Sequence, residues 1–240
     1  MCTVTWFIAE QKLQLWFNRD EQKTRSHAQA PEVVANNAIK AIYPIDPDGG
    51  GTWMSVNNAG IIVCLLNNYR AAAQNDANRT QWTSRGKLVQ QLATLTSHQA
   101  IASAISSQDM AQYRAFHLMV LSLDQQIFFN WDGRHLTTNK APAYYSSSSF
   151  DTANVLAGRE KQYQAYVQSN GYQSVATALD FHRSHLPQKS AYSVCMHRDD
   201  ANSTSLSHLT VAQNAVSFCY WNAPPCESVN IASHRTTLSR

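Results

Sequence analysis

Cys2-Thr3-Val4-Thr5-Trp6-Phe7-Ile8, followed by Leu13-Gln14-Leu15-Trp16-Phe17 and then Asn18-Arg19-Asp20-Glu21, is the stretch that decides how this chain folds. Thr3 to Ile8 and Leu13 to Phe17 are rich in Val, Thr, Trp, Phe and Ile, the composition of strands. Only Glu10-Gln11-Lys12 links the two strands through their polar middle, short enough for a hairpin turn. Antiparallel pairing then returns the end of the second strand to the start of the first, and Arg19 and Asp20 are expected beside Cys2. An arginine in that place favours thiolate over thiol, and a carboxylate steadies an amine or a guanidinium. The pair is expected at a surface-like strand end, where a substitution costs under ~1 kcal/mol.

Cys2 follows an initiator methionine, and methionine is generally removed when the next side chain is small. The mature chain is therefore expected to begin with a residue that carries a thiol and a free α-amine. The thiol is a nucleophile, and an amine with a pKa near ~8 takes up its proton at neutral pH. One residue then supplies nucleophile and base together, with no histidine required. Taken alone, Cys2 reads first as an ordinary buried cysteine, and Arg19-Asp20 as a solvated turn.

Further along lie Gly50-Gly51-Thr52-Trp53, Asn57-Asn58-Ala59-Gly60, Cys64-Leu65-Leu66-Asn67 and Ser84-Arg85-Gly86. With Met1-Cys2-Thr3-Val4-Thr5-Trp6 and Asn18-Arg19-Asp20-Glu21, their order and spacing resemble the NRDE family, named for that tetrapeptide. The eukaryotic branch of that family is the transport-and-Golgi-organisation proteins. The family in turn resembles N-terminal-nucleophile hydrolases of the bile-salt-hydrolase and penicillin-V-acylase type. The resemblance implies a four-layer αββα sandwich of two antiparallel sheets. It implies Cys2, Arg19, Asp20 and Asn57 as catalytic positions, with the Asn57 amide donating to an oxyanion. It further implies Asn18, Trp53, Ser147 and Arg198 as substrate-binding positions, although the residues of His197-Arg198-Asp199-Asp200 by themselves read as a turn ion pair. One departure stands out. Where the acylases carry an asparagine in Thr-Asn-Ser before Phe-Asp, this chain has Ser146-Ser147-Ser148-Ser149-Phe150-Asp151, so a serine hydroxyl or backbone amide stands in.

Two functions follow from the resemblance. The first is an N-terminal-cysteine amidohydrolase that cleaves a non-peptide C–N bond in a small molecule. The alternative is a non-catalytic carrier of a small ligand in the same pocket, a tetrapyrrole such as haem, given the eukaryotic branch's link to haem handling. In that alternative Cys2 and histidines are the iron ligands. The enzyme reading requires no cofactor.

Composition agrees with one globular unit spanning 1–240. Hydrophobic residues make up 44% and charged residues 15%, enough apolar content for a core. The net charge of +3 is not concentrated in a basic run, which argues against nucleic-acid binding. The five cysteines form no CxxC pair, and an odd count is unlike a disulfide framework. No apolar run approaches the ~20 residues of a membrane span, and the N-terminus does not read as a signal peptide. The expected compartment is cytoplasmic.

In chain order, residues 22–49 carry Pro31, Pro44 and Pro47 and read as an irregular segment, either a substrate-facing loop or a surface connection. Strands are expected over 52–56 and 61–66, with Asn57-Asn58-Ala59-Gly60 as the hairpin turn. A polar loop with Asn75, Asp76 and Asn78 precedes helices that start after Ser84 and Ser97. A meander follows over 116–123, 127–131 and 134–138. The serine run reads as a loop. Asp151 caps a helix that ends at Asn170-Gly171, and Ser174 caps the next. His182 and His185 have helical ligand spacing but no third ligand by spacing, so they read as a polar helix end, and no metal site is expected. Strands return at 192–196, 203–211 and 215–221, with Cys195 and Cys219 in their cores. Residues 222–240, with Pro224-Pro225, read as a loosely packed tail. Strands arriving as hairpins exclude βαβ units, so the class is α+β. Pattern alone also accommodates an ordinary two-layer domain.

Overall fold

The structure, a computed structural model, describes residues 2–71, 81–170, 174–228 and 232–240. Met1, the polar loop at Asn75, Asp76 and Asn78, and the helix stop at Gly171 lie outside the described residues. The opening hairpin forms as its composition demands. Strands β1 (Cys2–Ala9) and β2 (Lys12–Gln22) are joined by Glu10 and Gln11, whose φ angles of 50° and 57° make a tight two-residue turn. That turn sets the register, and Cys2 comes to lie opposite Arg19.

Eleven further strands complete two antiparallel sheets. They are β3 (Gln29–Asn36), β4 (Ile39–Ile45), β5 (Met54–Asn57), β6 (Ile62–Asn67), β7 (Phe116–Leu121), β8 (Gln126–Trp131) and β9 (Leu136–Lys140). After these come β10 (Tyr144–Ser147), β11 (Ala201–Val211), β12 (Ala215–Trp221) and β13 (His234–Ser239). One sheet runs β10-β1-β2-β11-β12-β13, and the other runs β3 to β9 in sequence order. Helices α1 (Arg85–Leu92), α2 (His98–Ser106), α3 (Thr152–Asn170) and α4 (Val175–Arg183) lie outside them.

Period-2 alternation along the strands builds the layers. On β1 and β2, Cys2, Val4, Trp6, Leu13, Leu15 and Phe17 face the second sheet and meet Met54, Val56, Ile62 and Cys64. Phe7 and Trp16 point the other way and pack with Tyr163 of α3 and Phe181 of α4. The outer face of the second sheet (Val63, Leu65, Leu118, Val120) receives Leu88, Val89 and Leu92 of α1 and Ile101 and Ile105 of α2. Three apolar layers between four layers of structure make the αββα sandwich that the resemblance implied, and the two-layer alternative is excluded.

Four expected features differ. Residues 29–45 form the β3–β4 hairpin instead of an irregular segment, closed by Asn37 at φ 54°. Its prolines did not forbid it, because Pro31 sits at a register shift on an edge strand, where no ladder N–H is needed. Tyr144–Ser147, whose last two residues begin the expected serine loop, is strand β10, paired to β1 with Ser146 and Ser147 buried. Residues 192–196 are irregular, so Cys195 is not a strand-core residue. The expected tail contributes β13, an edge strand paired along β12 from Ala215↔Ser239 to Tyr220↔His234.

Candidate active site

Cys2 lies between two partners in one sheet. Across β2 it faces Arg19, and across β10 it faces Ser147, whose Oγ accepts a hydrogen bond from the Cys2 backbone N at 3.2 Å. Because Cys2 and Arg19 are direct cross-strand neighbours, both side chains project into the space between the sheets. There they wall a cavity of about 350 Å³ with Asp46, Trp53, Asn67 and Arg114. A second cavity of about 470 Å³ has Ser147 and Asn67 in its wall, so Asn67 is common to both.

Burial pushes the Cys2 thiol pKa up, and the Asp20 carboxylate adds to the rise. The Asp20 backbone N–H lowers it, and the Arg19 guanidinium opposes the rise only weakly. The expected stabilisation of a thiolate by Arg19 is therefore outweighed by desolvation, and the resting side chain is a neutral thiol. Arg19 is engaged elsewhere: it meets Glu21 at 3.1 Å and Asp46 at 3.7 Å, and lies 4.5 Å over the Trp53 ring. Arg25 grips the same Asp46 carboxylate with contacts of 2.9 and 2.7 Å. Arg19, Trp53 and Asp46 thus form a rigid wall beside the thiol.

Asp20 is one residue on and faces the opposite side of the sheet. Its carboxylate accepts from Ser203 Oγ at 2.6 Å and pairs with Arg159 of α3 at 3.4 Å. Both side chains of that pair are 0% exposed, which overturns the expected surface-like strand end. Arg159 also donates to Thr3 Oγ1 and Ser146 Oγ, each at 3.1 Å, and so ties β1, β2 and β10 together behind Cys2. No sequence periodicity marked Arg159. The only hint was an arginine in the middle of a helix between Val155 and Tyr163, both of which are buried.

The remaining expected positions divide. Trp53 and Ser147 stand at the cavities beside Cys2. Asn18 does not: it is fully buried on the helix-facing side, where its Nδ2 donates to the His182 and Val194 carbonyls and its Oδ1 meets His182 Nδ1 at 2.8 Å. His182 Nδ1 must therefore carry the proton, which leaves Nε2 to accept from Thr5 Oγ1 at 2.8 Å. His182 is thus a buried neutral imidazole, not a polar helix end. Arg198 lies at an exposed turn, bonded to Asp200 at 2.8 and 2.6 Å and 4.7 Å over the Phe150 ring, away from the Cys2 cavity.

Asn57 is also displaced from its expected role. Its Nδ2 donates to the Ala93 and Leu95 carbonyls, both at 2.9 Å, while Oδ1 accepts from the Ala59 and Ile61 backbone N–H groups. Both amide hydrogens are spent on the chain after α1, and Asn57 is absent from the residues that wall the Cys2 cavity. It is a staple for the β5–β6 turn. The asparagine that does reach Cys2's cavity is Asn67, at the end of β6. It donates to Tyr69 Oη at 2.7 Å with one of the two N–H bonds of its amide. The Cys64-Leu65-Leu66-Asn67 run carried that signal, but a strand-end asparagine looks no different from a turn asparagine in sequence.

Two stacked antiparallel sheets with helices on both outer faces make the αββα sandwich of N-terminal-nucleophile hydrolase folds, and solved structures agree on that fold. A C2A variant of conjugated bile acid hydrolase from Clostridium perfringens superposes with a TM-score of 0.59 at 10% identity, covering 100% of this chain and 92% of that one. Penicillin V acylase from Agrobacterium tumefaciens gives 0.53 at 10% identity over 93% and 84% of the two chains. The Caenorhabditis elegans ortholog of N-acylethanolamine-hydrolyzing acid amidase gives 0.58 at 7% identity over 87% and 92%. At such identities the likeness is one of fold. A family model described as Transport and Golgi organisation 2 matches residues 1–216, and the chain belongs to that family. No curated protein matches by sequence.

Proposed function

We propose that the protein is an N-terminal-cysteine amidohydrolase acting on a C–N bond of a small molecule, once Met1 has been removed. The observation that carries this reading is the Cys2 backbone nitrogen held by Ser147 Oγ at 3.2 Å, with the thiol of the same residue in the wall of the 350 Å³ cavity. That volume suits a small substrate.

In the proposed reaction the Cys2 Sγ attacks the amide carbonyl carbon while the thiol proton passes to the α-amine of the same residue. Because burial keeps the resting thiol neutral, proton transfer accompanies attack instead of preceding it. The carbonyl oxygen becomes an oxyanion that accepts from Asn67 Nδ2. The C–N bond breaks, and the leaving amine takes the proton from the α-ammonium. Water then attacks the thioester, with the α-amine as base, and the acid leaves as the thiol re-forms. Ser147 orients the amine. Arg19 and Trp53 shape the acyl pocket, and Asp20 acts through Arg159 to hold β1 in place.

Intact-mass measurement on protein from its native host, before and after a thiol-directed acyl probe, tests the reading. The expected result is loss of the Met1 mass and one adduct at Cys2 that is absent from Cys2→Ala. A chain that keeps Met1 would sink the catalytic proposal. A Soret shift on adding haem, unaffected by the acyl probe, would instead support the carrier of a tetrapyrrole.

A further inference from the structure

His185, Cys195, His197 and Cys226 come from three separate parts of the chain, and their ligand atoms all lie within 4.8 Å of one another. His185 follows the C-terminus of α4, Cys195 and His197 lie in the irregular segment before β11, and Cys226 sits in a 3-10 turn, Pro225–Glu227. His197 Nε2 is the hub, 3.2 Å from His185 Nε2, 3.5 Å from Cys195 Sγ and 3.5 Å from Cys226 Sγ.

Hydrogen bonding does not account for that convergence. The Nε2 of a neutral imidazole offers either one proton or one lone pair, so it satisfies one of three polar neighbours. A central cation satisfies all four ligand atoms at once. Zinc bonds nitrogen at about 2.0–2.1 Å and sulfur at about 2.3 Å. A regular tetrahedron with those arms has edges of about 3.3 Å between two nitrogens and about 3.6 Å between nitrogen and sulfur. The three edges that meet at His197, of 3.2, 3.5 and 3.5 Å, fit, and the other three lie within 4.8 Å.

We infer that these four side chains form a tetrahedral zinc site of two cysteines and two histidines. Two thiolates balance the charge of the ion, and with all four positions supplied by protein the site is closed, as structural zinc sites are. The site fastens a segment that has little regular structure of its own. Cys195 N donates to the Ser184 carbonyl at 3.0 Å and His197 N to the Ser190 carbonyl at 3.1 Å. The same segment reaches the back of Cys2, since Ser203 Oγ bonds both Met196 N (2.9 Å) and Asp20 (2.6 Å). Zinc therefore secures the support of Asp20 from outside the cavity. This inference stands apart from the amidohydrolase reading, and its test does not use activity.

Full-length protein grown with added zinc, desalted and analysed for metals, is expected to hold about one zinc per chain. Chelation followed by Co2+ is expected to give the visible absorption and thiolate charge-transfer bands of a tetrahedral sulfur-ligated ion. Cys195→Ser and Cys226→Ser should each lose the zinc, while Cys64→Ser keeps it. Because the first two variants can also fail to fold, the deciding measurements are made on the unaltered chain. Metal-free protein that gives no cobalt spectrum overturns the inference. So does a Cys195–Cys226 disulfide found by peptide mapping of freshly isolated, unreduced protein.

Discussion

Arg159 and Asp20 set the strongest constraint at the scale of single residues. Each is a fully buried charge whose desolvation is offset by the other and by Ser203, Thr3 and Ser146. Removing one partner strands the other, so Arg159→Ala is expected to cost about 3–5 kcal/mol, read from urea unfolding. The paired change Asp20→Asn with Arg159→Met should restore part of that loss, since no uncompensated charge remains. The two asparagines separate in the same way. Asn57→Ala removes four hydrogen bonds around a turn and should lower stability while leaving the labelling rate of Cys2 by an acyl probe unchanged. Asn67→Ala should slow acylation about 10²–10³-fold and leave stability within ~1 kcal/mol. The reverse pattern would return the oxyanion role to Asn57.

Among the elements, α1 is the one whose position decides the shape of the Cys2 cavity. Its first turn lies against the short segment that leads into β5, with Thr52 N donating to the Gly86 carbonyl at 3.2 Å. A Cβ added to Gly51 would stand 2.4 Å from the Gly86 carbonyl carbon and 2.7 Å from Lys87 N, both backbone atoms that cannot rotate away. Gly86 also lines the cavity. Gly51→Ala should therefore push α1 outward, cost about 1–3 kcal/mol and speed labelling of Cys2 by bulky maleimides. Unchanged melting and labelling would show that α1 moves without cost. The β1–β2 hairpin was legible in the sequence because its turn and its pairing are local. The β3–β4 hairpin was not, because an edge strand with water on much of both faces shows no clean alternation, and β3 is mostly exposed.

For the molecule as a whole, acid should be the main solution stress. Burial holds His117 down to about 4 and His182 down to about 3, against an ordinary value near 6.5. Above pH ~6.5 these imidazoles are neutral in the folded and unfolded chain, and their contribution to stability is fully present. Below that, the unfolded chain takes up protons that the folded chain refuses, so stability falls as pH drops toward 4 and 3. The limiting slope is ~1.4 kcal/mol per pH unit for each histidine. Urea midpoints at pH 7 and pH 5 should show the loss, and His182→Gln and His117→Gln should each flatten it. A profile that does not change in those variants would mean that other groups govern the acid limb.

The sequence by itself determined the class of fold, the β1–β2 hairpin and the meeting of Cys2 with Arg19. The hairpin and that meeting rest on side-chain period and a short polar link, which act over neighbouring residues; the α+β class rests on strands arriving as hairpins, and the four-layer αββα arrangement was implied only by the family resemblance. Ser84 and Ser97 likewise marked the starts of α1 and α2 without help from the rest of the chain. Tertiary structure alone decided that Asp20 answers to Arg159, 139 residues away. It alone turned the Asn57 amide to the Ala93 and Leu95 carbonyls, set Asn67 in the wall of the Cys2 cavity and buried His182 against Asn18. It also gathered His185, Cys195, His197 and Cys226, whose spacing along the chain suggests no ligand set. Periodicity tells which face of a strand or helix is buried. It does not tell which polar group from a distant element will be there to satisfy a buried charge, and at this site those distant partners decide the chemistry.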